Sequence, residues 1–139
     1  MRWSKITYKT KLLALLLPCL LLMSCSLRNN SIPKPEEVES AVVIIGNLSI
    51  DAMAYESIEF HMNGGSAAEA VEFHNRVSDY RSNPNINSEA WTVDITYTLN
   101  DGSLIRDSIE KIGGAELLIK FVQTHEAFII SKTEQAPVE

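Results

Sequence analysis

The fold is decided by the stretch WTVDITYTLNDGSLIRDSIEK, which runs from Trp91 to Lys111. Between Trp91 and Leu99 every second residue is apolar, and the residues between them are Thr or Asp. This two-residue period is typical of a β-strand with one buried face. Asp101-Gly102 predicts a tight turn, because both residues tolerate a positive φ. Leu104–Ile112 is then predicted to return as the partner strand of a hairpin.

A helix is predicted directly after this hairpin. Gly113-Gly114 ends the second strand, because paired glycines favour neither strand nor helix. Residues 115–125 then repeat apolar side chains at helical spacing. The side chains predicted to face the core are Leu117, Leu118, Phe121 and Val122.

The preceding residues predict the same order of elements. Val38–Ile45 is β-branched and apolar, and Ala54–His61 follows as a second strand. Gly46-Asn47 predicts a bulge or a turn in the first strand. Residues 82–88, which contain Asn and Pro, predict a surface loop.

The helix of this first half is predicted to begin at Ser66. Ser66 with Glu69 three residues later matches a capping box. The apolar residues that fall on one helical face are Ala70, Phe73, Val77 and Tyr80.

A short pattern recurs in the two halves. Ser57-Ile58-Glu59 precedes one Gly-Gly pair and Ser108-Ile109-Glu110 precedes the other. The recurrence reflects either an internal duplication or chance. Both interpretations predict an α+β fold of order ββαββα. The expected architecture is a two-layer sandwich, with a four-stranded antiparallel sheet and two helices on one face.

The N-terminus predicts a bacterial lipoprotein signal peptide. Basic residues without acids precede an apolar segment, Leu12–Met23. About 12 helical residues span only ~18 Å, short of the ~30 Å hydrocarbon core. The segment is therefore a signal sequence rather than a spanning helix.

The run Leu22-Met23-Ser24-Cys25 matches a lipobox. Leu lies three residues before a cysteine, and a small residue precedes that cysteine directly. A thiolate is the nucleophile that a thioether to diacylglycerol needs. Cys25 is therefore the predicted lipidation site and carries palmitate-type acyl chains, whereas Pro18 disfavours Cys19. The alternatives are an ordinary signal peptide and an uncleaved anchor.

Cleavage before Cys25 makes the chain strongly acidic. All 18 acidic residues remain, whereas four of the 12 basic residues lie in the signal peptide, which gives a net charge of −10. This charge excludes the basic footprint of nucleic-acid binding. It also disfavours docking on anionic lipid, so the acyl chains would provide the membrane contact. No disulfide is possible once Cys25 is acylated.

Composition divides the chain into four parts. Residues 1–24 are the signal peptide, and residues 25–37, rich in Asn, Pro and Glu, predict a flexible tether. Residues 38–131 are predicted to form a single α+β domain. The polar residues 132–139 predict a disordered C-terminal tail.

Two runs resemble a known group of modules. Glu72–Val77 contains Phe73-His74, and Ile95–Arg106 contains a hairpin with Asp-Gly. Together they are similar to small extracytoplasmic modules of Gram-positive bacteria, found in lipoproteins and in ABC-type permease subunits. The resemblance implies the same fold and a surface location. The chain departs from that pattern at Ser108, where those modules carry Tyr.

No motif for catalysis, a cofactor or a metal is present in the sequence. His61, His74 and His125 lack the two-histidine spacing of a helical metal site. His74 is expected to be a satisfied, partly buried histidine, with a ligand as the alternative, and His125 a cation that complements a helix C-terminus. The Gly-Gly pairs before helices could bind an anion, but strand termination is the simpler interpretation.

Aromatic and charged residues of the hairpin receive structural interpretations as well. Trp91 and Tyr97 are expected in the core, with a ligand platform as the alternative. Arg106 is expected to form a surface ion pair with Asp101 or Asp107.

These observations predict a lipid-anchored, non-catalytic protein on the extracytoplasmic face of the cell membrane. It would act as an interaction or sensor module for an envelope protein, with no cofactor and no metal. The alternative function is a small-solute-binding lipoprotein associated with a transporter.

Overall fold

The computed structural model describes residues 32–83, 85 and 89–136. The predicted signal peptide and the lipidation site Cys25 lie outside these residues. The described part is an α+β fold with a five-stranded antiparallel sheet and two helices.

The elements follow the predicted order and then add one strand. The strands are β1 (Val38–Ile50), β2 (Met53–Asn63), β3 (Trp91–Leu99), β4 (Leu104–Lys111) and β5 (Ile129–Glu134). The helices are α1 (Gly65–Asp79) and α2 (Ala115–Thr124). Short 3-10 turns precede β1 and β5, at Pro35–Glu37 and Glu126–Phe128.

The strands lie in the order β4-β3-β1-β2-β5, and every neighbouring pair is antiparallel. The two predicted hairpins therefore meet through β1 and β3 at the centre of the sheet. At Gly46-Asn47 the predicted irregularity is present only locally: Asn47 has a φ of 55°, but Gly46 pairs with Ser57 and Leu48 with Tyr55, so β1 continues past it. The reversal to β2 comes instead at Asp51, whose φ is 55°.

Both helices cover one face of the sheet. The alternating residues of β3 from Trp91 to Leu99 are buried, as predicted, and Tyr97 contacts α1 through His74. Phe60 of β2 lies on the same face and contacts Phe121 of α2. One hydrophobic core thus fills the space between sheet and helices.

The fifth strand corrects the predicted four-stranded sheet. β5 pairs with β2, for example at Ile58–Lys132 and Glu59–Ser131. The predicted disordered tail, residues 132–139, is therefore wrong over Lys132–Glu134. Because β5 is an exposed edge strand, its sequence needs no hydrophobic periodicity. It is held by main-chain hydrogen bonds to β2, which do not require particular side chains.

The predicted flexible tether is also wrong over its last part, Ile32–Glu37, which we call the strap. Pro33 is buried and Ile32 packs against the core. Asn100 donates from its main-chain nitrogen to Glu37 O at 2.9 Å and from Nδ2 to Glu36 O at 2.8 Å. The turn of the second hairpin therefore binds the strap.

The start of α1 differs from the predicted capping box. The N-cap is Gly64, with φ 57° and ψ −129°, and the helix begins at Gly65. Ser66 Oγ donates to Asn63 O at 2.6 Å, and Glu69 binds His125, the residue that follows α2. The glycine conformation directly after β2 starts the helix earlier than a serine cap would.

Candidate functional site

A buried polar chain joins α1 to the second hairpin. His74 of α1 lies between Tyr97 of β3 and Asp107 of β4. Its Nδ1 is 2.9 Å from Tyr97 Oη, and its Nε2 is 2.7 Å from Asp107 Oδ2. His74 is 1% exposed, and Tyr97 is fully buried. The prediction of a satisfied histidine is confirmed, and His74 is fully buried rather than partly buried as predicted.

The geometry limits where the protons of these hydrogen bonds can lie. A carboxylate only accepts, so His74 Nε2 donates to Asp107. An Nδ1 without a proton accepts from the Tyr97 hydroxyl. The other acceptor near that hydroxyl, Ala70 O, is farther away at 3.4 Å. Burial, with a smaller contribution from the charge of Asp107, raises the pKa of Tyr97 above its usual range.

The hydrogen bonds from Tyr97 to His74 to Asp107 have the order seen in catalytic relays, but the Tyr97 hydroxyl and the His74 ring are not accessible to a reactant. Tyr97 and His74 are both enclosed, and only Asp107 is partly exposed, with 30% of its side chain accessible. A general acid or base must lie within hydrogen-bond reach of its substrate. The chain therefore positions α1 on β3 and β4.

β4 contributes a second polar contact to α1. Lys111 Nζ donates to the carbonyl oxygens of Val77, Ser78 and Tyr80 at 2.8, 2.8 and 2.5 Å. These carbonyls lie at the C-terminal end of the helix, where no intrahelical partner remains. A cation there also complements the helix dipole.

A groove of about 260 Å³ separates the two helices. Phe73 and Phe121 stack across it with ring centroids 3.9 Å apart. At one end, His125 Nε2 lies 2.5 Å from Glu69 Oε2, and His125 Nδ1 donates to Phe121 O at 2.9 Å. The two ring nitrogens of His125 thus face a main-chain carbonyl and a carboxylate. Lys120 completes the rim.

A second, more open depression of about 550 Å³ lies between the strap and α1. Ile32 and Pro35 line one side, and Val71, Glu72 and Asn75 line the other. The strap thus runs beside α1, in the helix layer of the fold.

The opposite side of the sheet, which we call the open face, carries no described element. At its centre Val42 and Ile44 of β1 are half-buried. Thr96 and Asp94 of β3 are their neighbours in the sheet on one side, and β2 flanks them on the other. The open face thus has a small apolar centre and a polar surround.

The structure separates the three histidines that the sequence singled out. His61 is exposed and lies 3.0 Å from Glu59 Oε1. His74 and His125 belong to the buried chain and to the helix groove respectively. Among the described residues no group of three or more His, Cys, Asp or Glu is placed to hold a metal ion.

Other predicted residues have mixed outcomes. Trp91 and Tyr97 are core residues, as predicted. The predicted pair of Arg106 with Asp107 is wrong, because adjacent residues of β4 point to opposite faces and Asp107 binds His74.

Within the described ranges no helix is long and apolar enough to cross a membrane. Cys25 lies outside those ranges.

Comparisons with protein-family models, with curated proteins and with solved structures find no match to this chain.

Sequence reasoning missed Glu69, Asp107 and Lys111 as partners of distant groups. Asp107 and Lys111 are each two residues from Ile109, and Asp107 is also two residues from Ile105. Residues two apart in a strand share a face, so this spacing predicted that both charged side chains lie on the helix-covered face. Their partners depend on how α1 crosses the sheet, and local spacing does not define that crossing.

Proposed function

We propose that this protein is a lipoprotein of the extracytoplasmic membrane surface, acylated at Cys25. In this proposal it acts as a non-catalytic interaction or sensor module for an envelope protein. The sequence Leu22-Met23-Ser24-Cys25 supports the anchor. Two or more acyl chains are needed for stable attachment, because one chain binds membranes only marginally.

The strap supports a position close to the bilayer. Because Ile32 packs on the folded part, only residues 26–31 connect Cys25 to it. A chain of that length reaches roughly 25 Å when fully extended. The partner would therefore present its binding surface within a few tens of ångströms of the membrane.

The observation that carries the binding role is the open face. A sheet that the described residues cover on one side only offers a preformed surface on its other side. Val42 and Ile44 provide an apolar centre, and the surrounding Thr, Asp and Glu side chains form a polar rim. An apolar centre with a polar rim is the common anatomy of a protein interface. The buried Tyr97–His74–Asp107 chain supports a structural rather than a catalytic use of the polar residues.

The anchor and the binding role are tested separately. Metabolic labelling with palmitate tests the anchor: label should enter the native chain and not Cys25→Ser, which should leave the membrane fraction. A photo-crosslinking residue at Ile44 tests the open face, with the same residue at Glu116, an exposed position of α2, as the matched control. A discrete adduct at Ile44 alone is expected, and equal labelling at both positions would contradict the role of the open face.

The helix groove favours a second candidate, a small-solute-binding lipoprotein associated with a transporter. Its stacked Phe73 and Phe121 form an apolar floor, and Lys120 and Glu72 supply charges at the rim. At about 260 Å³ it is close to the smallest pockets that bind metabolites. A thermal-shift screen tests this candidate, since a ligand specific to the folded state raises the unfolding temperature. Such a shift should disappear in Lys120→Glu and persist in Lys132→Glu.

A further inference from the structure

The two edges of the sheet differ in how open they are to another strand. β4 forms one edge and β5 the other. An unpaired edge strand is a template for adding a further strand, unless its main-chain groups are already occupied. The comparison between the edges therefore shows where a partner strand would fit.

The β4 edge is blocked at its centre. Leu99 N donates to Ser103 O in the hairpin, so odd-numbered residues of β4 direct their main-chain groups to β3. Ser108 is even-numbered and faces the free edge. Its N–H is already donated to Asp107 Oδ1 at 2.9 Å. Asp107 thus binds His74 with one oxygen and occupies the edge with the other.

Among the described residues no side chain binds a free main-chain group of β5, and its pairing with β2 shifts register beside Glu134 and again between Ser131 and Ile129, which leaves Ser131–Thr133 as the regular part of the edge. Every residue from Ile130 to Glu134 is exposed, and Ile130, at 57%, is the most exposed of the large apolar residues described. Gln135 N donates to Ala54 O at 2.9 Å. The register shift between Tyr55 and Ser57 puts the extra residue on β2, so the alternation along β5 is kept and Thr133, the partner of Ser57, also directs its main-chain groups to β2. Lys132 and Glu134 therefore direct theirs to the free edge.

The side chains of β5 complement a second copy of β5 in one antiparallel register. With Thr133 opposite Thr133, Lys132 lies opposite Glu134 on both sides of the two-fold axis. Opposite charges and threonine pairs across strands are both stabilising. A register centred on Lys132 would place two lysines opposite each other, and one centred on Ser131 would leave both charges without a partner.

We infer that the protein pairs with a second copy of itself through β5, antiparallel and with the two-fold axis at Thr133. The result is a continuous ten-stranded sheet. The inference rests on the proposed lipid anchor in one respect, which is the strength of pairing. A six-residue edge makes a weak interface in solution, whereas attachment to one membrane raises the effective concentration of the partners.

The geometry of this pair is compatible with two anchors in one membrane. An antiparallel strand pair within one sheet has its two-fold axis normal to the sheet. The helix layers of both copies, and the straps that lie in them, are then on the same side. Both anchors would therefore emerge on that side, and both open faces would point away from the bilayer.

A cysteine scan along β5 tests the inference in membranes. In a non-hydrogen-bonded antiparallel pair the Cα atoms are about 4.5 Å apart, within the range that a disulfide spans. Thr133→Cys should therefore form a covalent dimer under mild oxidation, several-fold more than Ser131→Cys or Lys132→Cys. Ser108→Cys, on the blocked β4 edge, is the matched control, and the parent chain must give no dimer.

Charge exchange provides the second measurement. In the Thr133→Cys background, Lys132→Glu or Glu134→Lys alone places like charges opposite each other and should reduce the dimer about five-fold. The double variant exchanges both charges and should restore it.

Each outcome decides the inference. The inference is wrong if the yield of covalent dimer is highest for Ser131→Cys, or if Thr133→Cys gives no more dimer than Ser108→Cys. It is also wrong if Thr133→Cys forms a disulfide with a different protein instead. Palmitate labelling of the same samples separates the two proposals. Label without a dimer overturns the pairing and leaves the anchor, whereas absence of label overturns the anchor. In the latter case the same scan on the full chain at high concentration in solution decides the pairing.

Discussion

The first half of the fold, β1, β2 and α1, and the second half, β3, β4 and α2, share an order of elements but differ in how each helix is held. α1 is bound by polar groups of the second half, His74 to Tyr97 and Asp107, and Lys111 to its C-terminal carbonyls. α2 is bound by aromatic contacts with the first half, in which Phe121 packs on Phe60 and Phe73. Each helix thus contacts the opposite half, although α1 also packs buried apolar residues such as Ala70 and Val77 on β1 and β2 of its own half.

This exchange of contacts shows why neither half is expected to fold alone. A polar contact and an apolar contact also respond differently to substitution. Removing an aromatic ring leaves a cavity, whereas removing one partner of a buried hydrogen bond leaves the other unsatisfied. Four substitutions or conditions compare the two ways of holding a helix.

The largest effect is expected for Phe121→Ala, which removes the apolar attachment of α2. Truncation of a buried aromatic residue costs about 3–5 kcal/mol of unfolding free energy. Urea unfolding measures the loss. Phe128→Ala, at a half-buried aromatic position outside α2, should cost clearly less. A loss at Phe121 no larger than that at Phe128 would remove the basis for calling the aromatic contacts the stronger attachment.

Asp107→Ala should break the polar attachment of α1. It leaves His74 Nε2–H buried without its acceptor, at a cost of about 1–3 kcal/mol. Asp94→Ala is the control, because Asp94 lies on the adjacent strand but on the open face and is exposed. A change of within about 0.5 kcal/mol is expected there. Equal losses for both variants would argue that the buried chain adds nothing to stability.

The N-cap glycines offer a comparison at equivalent positions of the two halves. Gly64 and Gly114 have φ values of 57° and 69°, so alanine is strained at both. Only at Gly114 would a Cβ overlap a neighbour, the ring of Tyr80. Gly114→Ala should therefore couple to Tyr80→Ala by about 0.5–3 kcal/mol in a double-mutant cycle, whereas Gly64→Ala should be additive with Tyr80→Ala. Additivity at Gly114 would contradict the steric reason for this glycine.

The smallest effect is expected from alkaline pH. The pKa of Tyr97 is raised in the folded state, so above the usual tyrosine pKa of about 10 the unfolded chain loses a proton that the folded chain retains. The unfolded state then binds fewer protons, and stability falls as pH rises. Tyr97 should contribute about 1.4 kcal/mol of loss per pH unit above that value. The unfolding free energy, measured at several alkaline pH values, should decline less steeply for Tyr97→Phe than for the native chain. Equal slopes for the two proteins would contradict a raised pKa of Tyr97 in the folded state.

Much of the fold followed from local patterns. The alternation from Trp91 to Leu99 and the Asp101-Gly102 turn predicted the second hairpin, because strand period and turn conformation are properties of neighbouring residues. The helices were predicted from their apolar spacing. β5 was not, because an exposed edge strand needs no buried face. The binding of the strap was also missed, since Asn100 reaches the carbonyls of Glu36 and Glu37 across a gap of more than sixty residues.

The candidate surfaces were less predictable than the fold. The sequence predicted His74 as a satisfied, partly buried histidine, but its link to Asp107 requires the crossing of α1 over β4. Similarly, His125 meets Glu69 only because the two helices pack side by side. Asp107 was interpreted as a surface charge. It lies two residues from both Ile105 and Ile109, however, and that spacing places the three side chains on the same, helix-covered face.

The sequence by itself determined the order of the first six strands and helices, the second hairpin and most of the core. Each of these depends on spacing within a few residues, which chain geometry converts directly into a strand, a turn or a helix. Lipidation at Cys25 is a prediction of the same local kind. Only the tertiary structure decided the fifth strand, the bound strap, the buried chain around His74 and the difference between the two sheet edges. These depend on main-chain pairing and on side-chain contacts between distant segments, and packing of the whole chain brings those segments together.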